Sequence, residues 1–524
     1  MKVFSRHTAI TDPWVLRTRW AVCAFGALYL GLCFLHRFPA ASAETDGIDY
    51  LLQARDMLRG RIHVYTGYHG PGYPAAIAVV GILLRDLFLS AKLISVVSAV
   101  GLLVATSRVA TALAGSRVAF LSVVFLGLNP ALARYSFTAM SDVFGAVLFW
   151  SAMMVWASGL DSRRGHLALW AGCVAGLAYL ARYVNIVLLV MPLAALVLRR
   201  ERRTVMQAAC YVGGFAILAA PLLISTWLAT GTVLANENHR NVAAGLYGWG
   251  RAGEFHSLAD VILESPAFFL KRYLMRAGFE LPLKLFHFTG YVALFWVPGL
   301  MLLGRRCCTG GVEPVCRLHL ASVLGTGVTA FMALQLTGWI EPRFLLPVMP
   351  VLAIATAYMV ASDEVLEACR NRAAGGRCAA LVAAVIAVSC VVPAAKAVRD
   401  MFSREAPEFA SVGYDLASLA TQSDLLVVSQ PHIAWFADRP WFKLTILPES
   451  LFRGDAAPRV WREAIGRRVH DIYVVVDDRY AVTKMPALAP LARGVGVPGR
   501  GFQLVRATHT GKSCAVYRLP AAVK

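Results

Sequence analysis

Chemistry in this chain is available at a few ionisable residues that border long apolar runs. The stretch AETDGIDYLLQARDMLRG, residues 43–60, opens with Glu44, Asp46 and Asp49 directly after an apolar segment. A carboxylate placed there has two uses. It can take a proton from an attacking hydroxyl, or it can cap a helix, with Asp46 at the N-cap and Asp49 three positions on as a capping-box-like partner. Asp142, beside Ser141 at the start of another apolar run, divides the same way between a role in chemistry and a helix N-terminal charge favoured by the macrodipole. Arg343, in EPRFLLPVMP, and Arg182, in LARYVN, carry guanidinium forks of the shape that suits a phosphodiester. An interfacial arginine whose stem runs along lipid would look the same in sequence.

The elements that must position these groups follow from composition. Of 524 residues, 58% are hydrophobic and 16% charged, and the mean hydropathy is +0.59. Apolar runs of roughly 18 to 22 residues recur, long enough to cross the hydrocarbon of a bilayer as helices. The net charge of +20 does not call for nucleic acid, because basic clusters in short loops between spans are what the positive-inside rule produces. The expected architecture is an all-α polytopic membrane protein of about eleven spans.

Basic residues before the first span, about Trp20 to Leu35, place the N-terminus in the cytoplasm. Span two covers about Ser90 to Leu113, span three leads out to Arg134, and span four starts near Ala139. The run from Leu167 to Leu198 is too long for one span and breaks near Arg182 to Asn185, which makes spans five and six. Span seven, about Val205 to Leu228, opens a long outer loop to roughly Leu285. Span eight ends at GRRCC, span nine near TGWIEPR, span ten starts at Phe344, and span eleven covers about Ala379 to Ala395.

Residues 396–524 change character. DLLVVSQ and DIYVVVDD read as strands and PRVWREAIGRR as a helix, so a small soluble α/β domain on the outer face is expected. Of the eleven cysteines, only Cys514 falls in an outward segment, so no disulfide framework is expected there. Cys307, Cys308 and Cys316 match no zinc-site spacing and read as an ordinary reduced loop. Ala41-Ser42-Ala43 has the form of a signal-peptidase site. His36 and Arg37 separate it from an apolar stretch long for a signal, so the first span is expected to be retained.

Within the outer first loop, residues 39–89, Gly47 to Leu58 reads as an interfacial helix with Tyr50, Leu51, Ala54, Met57 and Leu58 on one face. A turn at Pro71-Gly72 follows. A second helix, about Pro74 to Leu89, then carries Arg85 and Asp86 and suits an interfacial or reentrant position.

These residues together resemble a family. A first outer loop with an aspartate, a tyrosine four positions later and then a GPGYP stretch is similar to that of the GT-C membrane glycosyltransferases, in the branch of the dolichyl-phosphate-mannose protein mannosyltransferases and the bacterial aminoarabinose transferases of lipid A. NPALARYSFTAMSDVFGAVLFW, GLAYLARYVNIVLLVMPLAAL and EPRFLLPVMPVLAIATAY resemble the outer turns of the same family. The likeness covers about residues 20 to 365. It implies transfer of a sugar from a polyprenyl-phosphate donor to a glycan, lipid or protein acceptor on the non-cytoplasmic face, and the Ala- and Arg-rich composition leads us to expect a bacterial inner membrane.

The resemblance assigns Asp46 as general base, with Asp142 at the second acidic position. It makes Arg343, Arg182, Lys284 and His287 candidates for the donor phosphate, and Tyr50, His69 and Tyr73 candidates for the acceptor path. Many members carry Glu directly after the first Asp, whereas this chain has Gly47, which puts a two-carboxylate, metal-binding site in question. No outer ligand cluster argues for a metal, no cofactor is expected, and a divalent cation is left open. The rival readings are a secondary transporter or lipid flippase, which would place ionisable residues near the bilayer midplane, and a non-catalytic member of the family.

Overall fold

A computed structural model describes residues 12–36, 44–61, 67–162, 165–199, 201–280, 282–284, 293–308, 341–362, 367, 375–402, 407–452, 454–466, 469–508 and 513–521. His287, the expected ninth span and the Ala41-Ser42-Ala43 segment lie outside these residues. Five of the described helices are long and apolar enough to cross a membrane: Pro13–Leu35, Leu87–Ala114, Ser141–Leu160, Arg202–Thr230 and Ala380–Phe402. Shorter apolar helices, Gly72–Leu84, Ser116–Gly127, Gly165–Ala181 and Met349–Ala361, accompany them. Trp20, Leu83, Val97, Leu228 and Val392 are more than half exposed. Outward apolar side chains of this kind are what a helix bundle shows to lipid. The chain is a polytopic helical membrane protein with a C-terminal sheet, the expected fold class.

The helix ends differ from expectation where polar residues stop the chain. The second first-loop helix ends at Leu84 because Arg85 takes a left-handed conformation (φ 56°). Asp86 then caps the next helix, accepting from the Leu89 N–H at 2.9 Å, so Arg85 and Asp86 form a break between helices. The first-loop helix starts at Thr45, and its N-cap is Glu44. Asp46 therefore lies in the first turn, and the Asp46–Asp49 capping pair, the alternative to a role in chemistry, does not form. The break after the fifth span is present: Gly165–Ala181 ends, Asn185 donates to the Ala178 carbonyl at 3.0 Å, and Tyr183–Leu189 continues as 3₁₀ helix. Lys92 donates to the Cys33 and His36 carbonyls at 2.5 and 2.6 Å, so the cation sits at the C-terminal end of the first helix, where the dipole favours it. The last long helix runs to Phe402, past the boundary expected after Ala395.

The C-terminal sheet has strands β1 Leu425–Val428, β2 Trp441–Lys443, β3 Ile472–Asp477, β4 Gln503–Thr508 and β5 Cys514–Leu519, in the order β2-β1-β3-β5-β4. The β1 strand pairs in parallel with β2 and β3, and β5 is antiparallel to β3 and β4. Every residue of β1 and β3 is buried, the mark of strands covered on both faces. Leu426, Val428, Tyr473 and Val475 share one core with Ile48, Leu51, Tyr73 and Ile77 of the first loop, while Leu425, Val427, Ile472 and Val474 face a second core inside the C-terminal domain. The first-loop helices are thus clamped between the span bundle and the sheet. Thr45 donates to the Gln430 side chain at 2.9 Å, and Arg55 and Arg59 both pair with Asp438, at 2.7 and 2.8 Å. This docking brings the C-terminal end of β2, with Lys443, close enough to Asp46 for their charges to interact.

Candidate active site

Asp46 enters the site from the first turn of the Thr45–Leu58 helix, held there by a close approach of backbones. A Cβ added at Gly47 would lie 2.7 Å from the Ala139 carbonyl oxygen, so the position next to Asp46 has no room for a side chain. That is the physical reason a second carboxylate is not found there. Gly47→Ala is expected to lower stability by about 1–3 kcal/mol, as overpacking does, read as a fall in thermal midpoint in detergent; an unchanged midpoint would show that the helix tilts freely.

Arg343, in the short Pro342–Leu345 helix before Met349–Ala361, donates to the Asp46 carboxylate at 2.8 Å and pairs with Glu341 at 2.7 Å. Burial works against the charged form of Asp46, but Arg343, His69 and Lys443 outweigh it and hold the carboxyl well below its ordinary value of 3.8. The carboxylates around Arg343 in turn outweigh its burial and raise its pKa. Arg182, at the break after Gly165–Ala181, bonds to Asp142, which is 2% exposed. The Tyr50 hydroxyl meets Ser141 at 2.7 Å and His69 Nδ1 at 3.2 Å. Burial, together with the Asp46 charge, pushes that hydroxyl up, so it stays neutral.

These groups face one cavity of about 520 Å³. Asp46, Asp142, Arg343, Arg182, Tyr50 and His69 all line it. Tyr73, expected on the acceptor path, does not. It is fully buried behind Tyr50 with rings edge to face at 5.1 Å, and its hydroxyl donates to the Ala91 carbonyl at 3.0 Å. Lys284, expected near the donor phosphate, does not line the cavity either. Glu44, at the N-cap position of the Thr45–Leu58 helix, is bound by Arg134 at 2.5 Å.

Sequence reasoning passed over the rest of the lining. Asn236, Asn238, Asn241 and Trp249 come from the segment after Arg202–Thr230, the last three on the short helices Asn238–Tyr247 and Trp249–Ala252, and Lys443 and Lys484 come from the C-terminal domain. It also passed over a possible ion site: ligand atoms of Asp46, Asp49 and His69 lie within 4.8 Å of one another. Two carboxylates and an imidazole suit a divalent cation, and Asp49 is 6% exposed with one carboxylate oxygen unbonded among the described residues. The Arg343 charge on Asp46 opposes a cation in that place.

With this geometry in hand, residues 68–228 match the family model of dolichyl-phosphate-mannose-protein mannosyltransferase. The structure of ArnT from Cupriavidus metallidurans bound to undecaprenyl phosphate is similar with a TM-score of 0.58 at 14% identity, covering 96% of this chain and 99% of that one. The chain has the GT-C fold. The archaeal oligosaccharyltransferase AglB from Archaeoglobus fulgidus, in complex with an inhibitory peptide and a dolichol-phosphate, has a TM-score of 0.58 at 13% identity and covers 89% of this chain and 70% of that one. Comparison with the curated proteins finds no match. In this GT-C chain, the cavity lies where the first-loop helices, the short turns at the ends of apolar helices and the C-terminal domain meet.

Proposed function

We propose that the protein is an integral-membrane glycosyltransferase that moves a sugar from a polyprenyl-phosphate carrier to an acceptor on the non-cytoplasmic face of a bacterial inner membrane. The observation that carries this reading is the sharing of one cavity by a carboxylate and two guanidinium groups, Asp46, Arg343 and Arg182. The acceptor hydroxyl attacks the anomeric carbon, the bond from that carbon to the phosphate oxygen breaks, and its electron pair leaves on the lipid phosphate. Asp46 takes the hydroxyl proton. Arg343 and Arg182 meet the charge that develops on the leaving phosphate.

In the unliganded chain Arg343 is committed to Asp46 at 2.8 Å. A donor phosphate competes for the same guanidinium fork, and as it takes Arg343 the carboxylate of Asp46 gains basicity. The donor thereby readies the base. A transporter or flippase fits less well, because the ionisable groups gather at one cavity by the outer loops, and Lys92 within a span is used to cap a helix.

Mass analysis of lipid-linked sugars and surface glycans in a deletion strain tests the proposal. Accumulation of one polyprenyl-phosphate sugar with loss of one glycan is expected; an unchanged profile of both would overturn it. Asp46, Asp49 and His69 are the residues that would hold a divalent cation, which would supply charge for the phosphate. Because Arg343 already holds Asp46, chelation of divalent ions is expected to leave turnover within about twofold, in line with catalysis by the cationic side chains; loss of activity restored by added metal would assign that trio to an ion.

A further inference from the structure

The charges of the cavity do not balance by pairing. Its lining holds the carboxylates Asp46, Asp142 and Glu341 against the cations Arg182, Arg343, Lys443 and Lys484. Arg343 takes Asp46 and Glu341, and Arg182 takes Asp142. Lys443 and Lys484 have no carboxylate within ion-pair distance among the described residues. Each ammonium rests instead on an aromatic ring, Lys443 at 5.1 Å from the Tyr68 centroid and Lys484 at 3.9 Å from that of Trp249. A ring face accepts one side of an ammonium, which has three N–H donors, so donors remain for an oxyanion.

Both lysines are placed by the C-terminal sheet, Lys443 as the last residue of β2 and Lys484 in the Ala481–Lys484 turn that follows β3. They stand at the carboxyl ends of parallel strands, where open α/β sheets bind ligands. They are close enough to each other that Lys443, after burial, is the larger of the influences that bring Lys484 down to about 8, while Asp46 and Glu341 act in the other direction. Two like charges held together in a part-buried wall are relieved by a shared anion. Arg343 and Arg182, by contrast, stand at the ends of apolar helices, where a lipid phosphate arrives. The two lysines reach the same cavity from the C-terminal domain instead, so a second substrate can be held by groups that the apolar helices do not supply.

We propose that Lys443 and Lys484 form an anion subsite for the acceptor, so that the acceptor carries a phosphate or carboxylate group close to the hydroxyl that is glycosylated. This rests on the transferase reading, with the two arginines serving the donor. The subsite explains why cations from a separate domain face the carboxylate proposed as base: they orient an acidic acceptor over Asp46 and exclude neutral ones.

The test uses the full chain in detergent, first saturated with undecaprenyl phosphate to fill the donor site and then titrated with inorganic phosphate by calorimetry. The wild-type protein is expected to bind phosphate in addition to undecaprenyl phosphate. Lys443→Met with Lys484→Met, which keeps the apolar stems on Tyr68 and Trp249, is expected to weaken phosphate by about tenfold or more while undecaprenyl phosphate affinity stays the same. Lys443→Arg with Lys484→Arg should restore it, which separates lost charge from lost folding. Equal phosphate binding by the Met variant would overturn the subsite, and so would loss of undecaprenyl phosphate in place of phosphate, which would give the lysines to the donor. A wild-type chain that ignores undecaprenyl phosphate but binds phosphate through these lysines would remove the transferase reading and leave the anion subsite standing.

Discussion

Asp46→Asn is expected to lower the rate of sugar transfer from a polyprenyl-phosphate donor by about 10²–10⁴-fold, the range for removal of a positioned general base. Asparagine keeps the size and one oxygen of the side chain, and Arg343 retains Glu341 at 2.7 Å, so the protein should fold. Donor affinity is expected to hold or rise, because the neutral amide no longer competes with the lipid phosphate for the guanidinium. The measurement is single-turnover transfer by purified protein, alongside binding of undecaprenyl phosphate to the same sample. Turnover within a few-fold of wild type would remove Asp46 from the chemistry. Weakened donor binding with an unchanged chemical step would instead make it a structural partner of Arg343.

Much of this arrangement is legible in the sequence, for a physical reason. A charged residue at the end of an apolar run is expensive to keep unless it is used or paired, so Asp46, Asp142, Arg182 and Arg343 stand out against their surroundings. All four line the same cavity. Their pairing was not legible: Arg343 and Asp46 are far apart in the chain, and nothing local announces an ion pair that only the packing of the bundle creates. The alternative reading of Asp46 and Asp49 as a capping pair fails for a related reason. N-cap preference is worth about 1 kcal/mol, small enough for tertiary contacts to decide where the helix begins, and here Glu44 meets Arg134 and Thr45 meets Gln430.

Lys443 and Lys484 could not be found from sequence at all. Each sits at the end of a short element with no periodic pattern, and only the seating of the sheet on Ile48, Leu51 and Tyr73 carries them to the cavity. Arg85 and Asp86 teach the converse: two adjacent charges inside an apolar stretch mark the break between helices, where a left-handed residue and an N-cap both find use.

Removal of Arg343 should change the pH dependence as well as the rate. Arg343→Ala takes away the donor closest to Asp46 and, in the transferase reading, one of the groups that stabilise the leaving phosphate. A loss on the order of 10²-fold in transfer rate follows from the removal of such a donor. In the wild-type chain Asp46 is held below its ordinary value by Arg343 first, then His69 and Lys443. A carboxylate with a lowered pKa stays ionised until the pH falls through that lowered value, so the acid limb of kcat/KM for wild type lies below about pH 4. Without the guanidinium, the effect of burial, which favours the neutral acid, is opposed only by His69 and Lys443. The pKa of Asp46 therefore rises, and base function is lost at a higher pH as the solution is made acidic. Profiles of kcat/KM against pH for the two proteins should show the acid limb displaced upward in Arg343→Ala, and an added Asp46→Asn substitution should erase the displaced limb. An Arg343→Ala profile that keeps the wild-type acid limb would mean that the ion pair seen in the unliganded chain does not govern the ionisation of the base. The guanidinium would then act on the donor alone.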